Sequence, residues 1–275
     1  MPELPEVESI ARALRLGGHT LPLPGRSIQS ATLHWPRHIE CPAPRSFKQQ
    51  IRDQQILAVQ RRGKYLIFPL DHGTLLIHLR MSGDLYMKYA HEERSPYEHT
   101  IFHLDQDMEL RFRDSRKFGR VYLVEDPDAI LGKLGPEPLD SAFTPQALAK
   151  KLASHHRQLK PLLLDQSFLA GLGNIYTDEA LHLARLHPLR RSDSLSSREA
   201  HALFSALQRV LKQGLEHNGA SIDWIYRGGE FQNHLRVYQK TGEPCPNCRT
   251  PIERIVVGQR GTHYCPVCQQ EERVE

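Results

Sequence analysis

The sequence predicts an α+β chain of several domains: a helix leading into a β-sandwich or barrel, then a helical domain, then a small Cys-rich hairpin. Three observations carry this. Short alternating or apolar runs separated by turn residues dominate up to Val124. Helical periodicity with capping signals replaces them after Thr144. Four of the five cysteines fall in the last 31 residues. At 275 residues the chain can bury more than one core.

Val7, Ile10, Ala11 and Leu14 repeat at i, i+3, i+4, i+7, and Gly17-Gly18 stops the run, which makes residues 5–14 a short amphipathic helix. Six strands are expected over 64–70, 74–80, 85–89, 99–104, 108–113 and 120–124. Asp71-His72-Gly73, Ser82-Gly83-Asp84, Asp105-Gln106-Asp107 and a loop from Asp114 to Gly119 punctuate them. Residues 132–140, with Pro136 and Pro138, read as a linker. Thr144 then caps a helix whose first position is Pro145. Ser196 and Glu199 form a capping box ahead of a long helix that ends at His217-Asn218-Gly219. The expected domains are 1–135, 141–235 and 236–275.

Cys245-Pro-Asn-Cys248 and Cys265-Pro-Val-Cys268 are two Cys-x-x-Cys knuckles 16 residues apart. Four thiolates at this spacing close tetrahedrally on one structural Zn2+, with no open position for catalysis. Arg260 stands with Gly258 and Gly261 at the expected hairpin tip, where a guanidinium can enter a groove or clamp a phosphate; alone, it reads better as a solvated arginine.

Lys and Arg number 36 against 32 acidic residues, with 16 His besides. That mild basic excess suits a polyanionic partner without requiring one. The apolar runs are too short for a bilayer, and the acidic start, Met-Pro-Glu-Leu-Pro-Glu-Val-Glu, lacks the basic and apolar regions of a signal peptide. A cytoplasmic protein is expected.

Seven segments resemble, in order, the formamidopyrimidine-DNA glycosylase family of bacterial DNA repair enzymes. They are Met1–Glu8, Arg62-Gly-Lys-Tyr-Leu66, His78-Leu-Arg-Met-Ser-Gly83, Asp114-Ser-Arg-Lys-Phe-Gly119, Gly171-Leu-Gly-Asn-Ile-Tyr176, the stretch from Phe231 to Cys245, and the closing Cys hairpin. The resemblance implies an N-terminal β-sandwich, a helix–two-turn–helix domain and a C-terminal zinc-finger hairpin. It also implies a monomer that binds duplex DNA carrying oxidised purines or abasic sites, removes the base and cuts the backbone. Leu4 favours this branch over the sister branch for oxidised pyrimidines, whose members typically begin Pro-Glu-Gly-Pro.

On this resemblance Pro2, exposed by removal of Met1, is the nucleophile. A terminal amine has a pKa of roughly 8, so part of it is neutral near pH 7 and attacks the deoxyribose C1′. Glu3 acts on the sugar ring oxygen and shuttles protons. Glu6 supports the site, although it and Glu8 are also ordinary first-turn acids. Lys64 contacts a phosphate beside the lesion, His78 and Lys160 lie by the DNA, and Asn174 with the amides near Gly171 and Gly173 forms a phosphate site with Arg260. Met81, Arg116 and Phe118 fill the space left by the flipped base. Taken alone, Met81 and Phe118 read as core residues. Two departures stand out: Arg80, where many members have Gly, and the lid segment 221–231, whose wording is unusual. A non-catalytic damage-binding protein is the remaining alternative.

Overall fold

The computed structural model describes residues 1–17, 20–222 and 228–271. The chain divides into two compact units, Met1–Lys133 with Asn218–Gly229, and Leu134–His217 with Glu230–Glu275.

The first unit opens with α1 (Leu4–Leu16), which has a proline in its first turn and buries Leu4, Val7, Ile10, Ala11 and Leu14. Gly17, at φ 89°, ends it; a Cβ there would stand 2.5 Å from Thr20 O. The strands are β1 (Ser27–Leu33), β2 (Ile39–Cys41), β3 (Gln54–Gln55), β4 (Gln60–Arg62), β5 (Tyr65–Pro69), β6 (Thr74–His78), β7 (Gly83–Tyr89), β8 (Glu98–Leu104), β9 (Met108–Asp114) and β10 (Arg120–Val124), with α2 (Pro44–Gln50) after β2 and α3 (Asp128–Leu131) at the end. They form two five-stranded sheets, β3-β1-β8-β9-β7 and β2-β10-β6-β5-β4. Leu66, Phe68, Leu75, Ile77, Phe102, Leu110, Phe112 and Val121 from both sheets enter one core with the apolar face of α1. This is the sandwich.

Register sets what stands at one end of it. Tyr65 faces His78 across β5–β6, and Arg120 faces His78 on the other side. Gly83 faces Asp114 across β7–β9. The Gly63-Lys64 turn, the 79–83 turn and the 115–119 loop therefore leave the sheets beside one another.

The second unit contains α4 (Pro145–Ala153), α5 (Leu159–Leu164), α6 (Asn174–Ala184), α7 (Ser197–Glu216), β11 (Glu253–Val257) and β12 (Arg260–Tyr264). Thr144 caps α4 by accepting the Ala147 N–H, and Ser196 with Glu199 closes the capping box of α7. Leu203, Phe204, Leu207, Val210 and Leu211 line the buried face of α7.

The sequence reading runs the helical domain unbroken to 235. The structure gives Asn218–Gly229 to the first unit, where Glu6 captures the Ala220 N–H. It also adds β1, β2, β3 and β4, none of which the sequence reading places. Among the described residues, no helix is long and apolar enough to cross a membrane.

Candidate DNA-processing site

In the first unit, Pro2 is buried and Glu3 is the N-cap of α1. Glu6 accepts the Glu3 N–H at 2.7 Å through one oxygen and the Ala220 N–H at 2.7 Å through the other. The space is tight: a Cβ on Gly219, at φ 82°, would stand 2.6 Å from the Glu6 carboxylate. Glu6 thus fixes both the start of the helix and the root of the 221–231 segment. Residues 223–227 of that segment, named as a lid, lie outside the described residues.

Lys64 sits in a two-residue hairpin turn closed by the Arg62–Tyr65 pair, with Gly63 at φ 56°, a conformation that suits glycine at the first turn position. Arg61 secures this turn to α1, donating from Nε to Glu8 at 2.9 Å and from a terminal nitrogen to Gly63 O at 3.1 Å. Lys64 is only 5% exposed. A freely solvated lysine does not fit that burial.

His78 is buried against Tyr65, ring centroids 4.6 Å apart, and its Nδ1 accepts the Arg80 N–H at 3.0 Å. Burial first, then the nearby charges of Arg80 and Lys64, push its pKa down to about 3. A neutral imidazole whose Nδ1 is taken by Arg80 holds the turn; it does not supply positive charge to DNA. Arg80 itself lies at φ 55°, the left-handed region where glycine is at ease.

Met81 is half-buried, while Arg116 and Phe118 are exposed. Phe118 is 47% accessible, and the Arg116 guanidinium lies over its ring at 4.8 Å. Core packing therefore does not explain Phe118.

The second unit holds the remaining residues. The four cysteine sulfurs lie within 4.8 Å of one another. Cys248–Cys265 is 3.4 Å, Cys248–Cys268 is 3.5 Å and Cys245–Cys268 is 3.9 Å. A zinc tetrahedron with bonds of about 2.3 Å places sulfurs about 3.8 Å apart, so the donor set fits one structural zinc. His182 Nε2 lies 3.4 Å from Cys245 Sγ, and burial, followed by the charges of Arg236 and Arg185, lowers its pKa to about 4. A neutral imidazole N–H facing that thiolate is the usual outer support of such a site.

Gly258 and Gln259, both at positive φ, make the turn between β11 and β12. Arg260 is thus the first residue of β12, beside the tip instead of on it, and is exposed. Asn174 donates to Gly261 O at 2.9 Å, so the start of α6 grips the strand next to Arg260. That commits one amide N–H of Asn174 to the hairpin.

Lys160 corrects the sequence reading. It is fully buried, and its ammonium pairs with Asp178, whose other oxygen accepts the His263 N–H at 3.0 Å. A side chain with no accessible surface cannot contact DNA directly; Lys160 braces the arginine-bearing hairpin from beneath. Glu179, next along α6, holds the 236–238 segment instead, accepting the N–H groups of Arg236, Val237 and Tyr238 at 2.9 Å each. Burial raises its pKa despite those bonds. The sequence reading passes over Asp178 and Glu179. Two acids on the helix that follows a glycine-rich turn were the available signal.

Family models match almost the whole chain. The formamidopyrimidine-DNA glycosylase N-terminal domain matches residues 1–121, its H2TH domain 134–225, and a zinc finger found in FPG and IleRS 242–270. Formamidopyrimidine-DNA glycosylase of Herpetosiphon aurantiacus is 47% identical, covering 98% of this chain and 100% of the relative. That of Protochlamydia amoebophila is 42% identical with the same coverage. Among solved structures, the Lactococcus lactis FPG (MutM) in complex with a FAPY-dG containing DNA superposes with a TM-score of 0.90 at 36% identity, covering 98% of this chain and 100% of that one. MutM in complex with carbocyclic 8-oxo-G containing DNA has the same score, identity and coverage. With two zinc knuckles, the Gly171–Tyr176 turn and the proline-led helix all in place, the chain belongs to the formamidopyrimidine-DNA glycosylase family, DNA glycosylases of base excision repair that also cut at abasic sites.

Proposed function

We propose that this chain excises oxidised purines, 8-oxoguanine and formamidopyrimidines among them, from duplex DNA with Pro2 as nucleophile, and acts in the cytoplasm as a monomer. The observation that carries the reading is the anchored N-terminus. Pro2 and Glu3 are buried at the start of a helix whose Glu6 fixes the neighbouring backbone.

Once Met1 is removed, the secondary amine of Pro2 attacks the deoxyribose C1′ and the bond to the damaged base breaks. Glu3 delivers a proton to the ring oxygen, the ring opens, and an iminium joins Pro2 to the sugar. The iminium acidifies the C2′ proton. Its loss expels the 3′ phosphate, and a second elimination expels the 5′ phosphate. Lys64, held almost dry at its turn, places a cation for a phosphate beside the lesion. Met81, Arg116 and Phe118 enter the space that the extruded nucleotide leaves. Arg260, together with the amides that open α6, clamps phosphates. Zinc supplies no chemical step; its four cysteine ligands hold the strand that carries Arg260.

Excision compared between duplexes carrying 8-oxoguanine and thymine glycol tests the lesion class. A clear preference for 8-oxoguanine supports the reading, and a strong preference for thymine glycol sinks it.

A further inference from the structure

Met81 and Arg116 sit on different connections of the sandwich, yet one buried contact joins the two. Ser82 Oγ donates to Asp114 Oδ1 across 32 residues of sequence. The same hydroxyl oxygen accepts the Arg116 N–H at 3.0 Å, and Asp114 Oδ1 receives that N–H at 3.2 Å. At the far end of the loop, the Gly119 N–H donates to Asp114 Oδ2 at 2.7 Å. His38 Nε2 stands 3.5 Å behind the same oxygen.

The floor under both connections is the Phe112 ring. A Cβ on Gly83 would stand 2.8 Å from it, and one on Gly119 only 2.3 Å. Both glycines are therefore needed for the two segments to close on that ring. Ser82 is 1% exposed and Asp114 fully buried, so water cannot replace bonds lost there. Burial alone would raise the Asp114 pKa, but the His38, Ser82 and Gly119 contacts bring it down to about 2, which keeps the acceptor charged.

The bonds hold the backbone of the loop and leave its side chains outward. Arg116 gives its main-chain N–H to the cluster while its guanidinium lies over Phe118. A loop held in this way can push into a base stack without giving way.

We propose that Ser82 and Asp114 are positioning residues of base excision: a hydroxyl–carboxylate clip that locks the Met81 turn and the Arg116–Phe118 loop into one insertion device. It rests on the reading of Met81, Arg116 and Phe118 as the residues that fill the vacated stack. The clip touches neither base nor sugar. It acts where unstacking must be offset, so it matters for extracting a damaged base and much less for cutting an abasic site, which holds no base to extract.

The test uses the full-length, zinc-loaded protein. Ser82→Ala is compared with Met81→Ala and Arg116→Ala on two duplexes, one with 8-oxoguanine and a neighbouring 2-aminopurine, the other with a ready-made abasic site. Ser82→Ala should slow single-turnover excision about tenfold and delay the 2-aminopurine signal, with abasic cleavage within about twofold of wild type. Its effect should not add to that of Arg116→Ala, because both act through one device. A merely structural serine would lower the melting temperature and leave the ratio of excision to abasic cleavage unchanged. That result, with Arg116→Ala or Met81→Ala lowering the ratio, overturns the clip. If neither of those two alters the ratio, the void-filling reading fails and the clip falls with it. Asp114→Asn should exceed Ser82→Ala in effect; if it does not fold, Ser82→Ala decides alone.

Discussion

Glu6 and Ala220 are joined by a 2.7 Å hydrogen bond across 214 residues of sequence, and the same carboxylate holds the Glu3 N–H. One buried acid therefore sets both the N-cap of α1 and the root of the 221–231 segment. Glu6→Gln keeps the shape but turns an amide donor toward one of two N–H donors. Stability should fall by about 1–3 kcal/mol, the cost of a buried donor left unpaired. Single-turnover excision should fall at least about tenfold, because roughly 1.4 kcal/mol of lost positioning is a factor of ten. Denaturant unfolding and excision rates check both. A fully active, fully stable variant would remove Glu6 from the site.

Arg80 pays a conformational cost that glycine would not, at φ 55°. Arg80→Gly should stabilise the protein by up to about 1 kcal/mol, seen as a rise in melting temperature. If the guanidinium meets DNA, the same variant binds more weakly and its salt slope drops by about one phosphate contact. Greater stability with weaker binding would mean that the arginine is kept for the DNA.

Lys160 offers a clean separation of bracing from contact. Lys160→Met leaves Asp178 buried without its cation and should cost about 3–5 kcal/mol of stability. Adding Asp178→Asn should recover part of that loss, since the double variant has no unpaired charge. The salt dependence of DNA binding should keep its wild-type slope in folded Lys160→Met, whereas Arg260→Ala should reduce it by about one contact. A reduced slope in Lys160→Met would return the lysine to the DNA surface.

Acid should destabilise the protein in two steps. His78 has its pKa lowered from 6.5 to about 3, so below pH 6.5 the unfolded chain takes up a proton that the fold refuses. Stability is full above that value and falls as pH drops from 6.5 toward about 3. Asp114, lowered from 3.8 to about 2, adds a loss below 3.8. Denaturant midpoints across this range should decline for the wild type and decline less steeply between about 6.5 and 4 for His78→Phe, in which buried His182, also lowered, still contributes its own loss. An unchanged decline in the variant would show that other groups set the acid limit.

Local signals in the sequence were legible and long-range ones were not. The helix of Val7, Ile10, Ala11 and Leu14, the Thr144 cap, the Ser196–Glu199 box and the four cysteines each depend on neighbours within a few residues or on fixed ligand spacing. The structure bears them out. Strand β1, reading Ser-Ile-Gln-Ser-Ala-Thr-Leu, gave no alternation because its register with β8 shifts between Ile28 and Ser30. The buried pairs Lys160–Asp178, Ser82–Asp114 and Glu6–Ala220 could not be read at all, since each joins segments that only the fold brings together. Lys160 shows the consequence: its place near the site was expected, but its burial was not. Phe118 shows the reverse, since its exposure favours the wedge over the core.

The most direct test of the account is borohydride trapping on a duplex with 8-oxoguanine opposite cytosine, wild type beside Pro2→Gly. Wild type should form a covalent protein–DNA complex that is lost or sharply reduced in the variant. A zinc-loaded wild type that binds the duplex yet gives neither complex nor nick would contradict it, and would leave a damage-binding protein in its place.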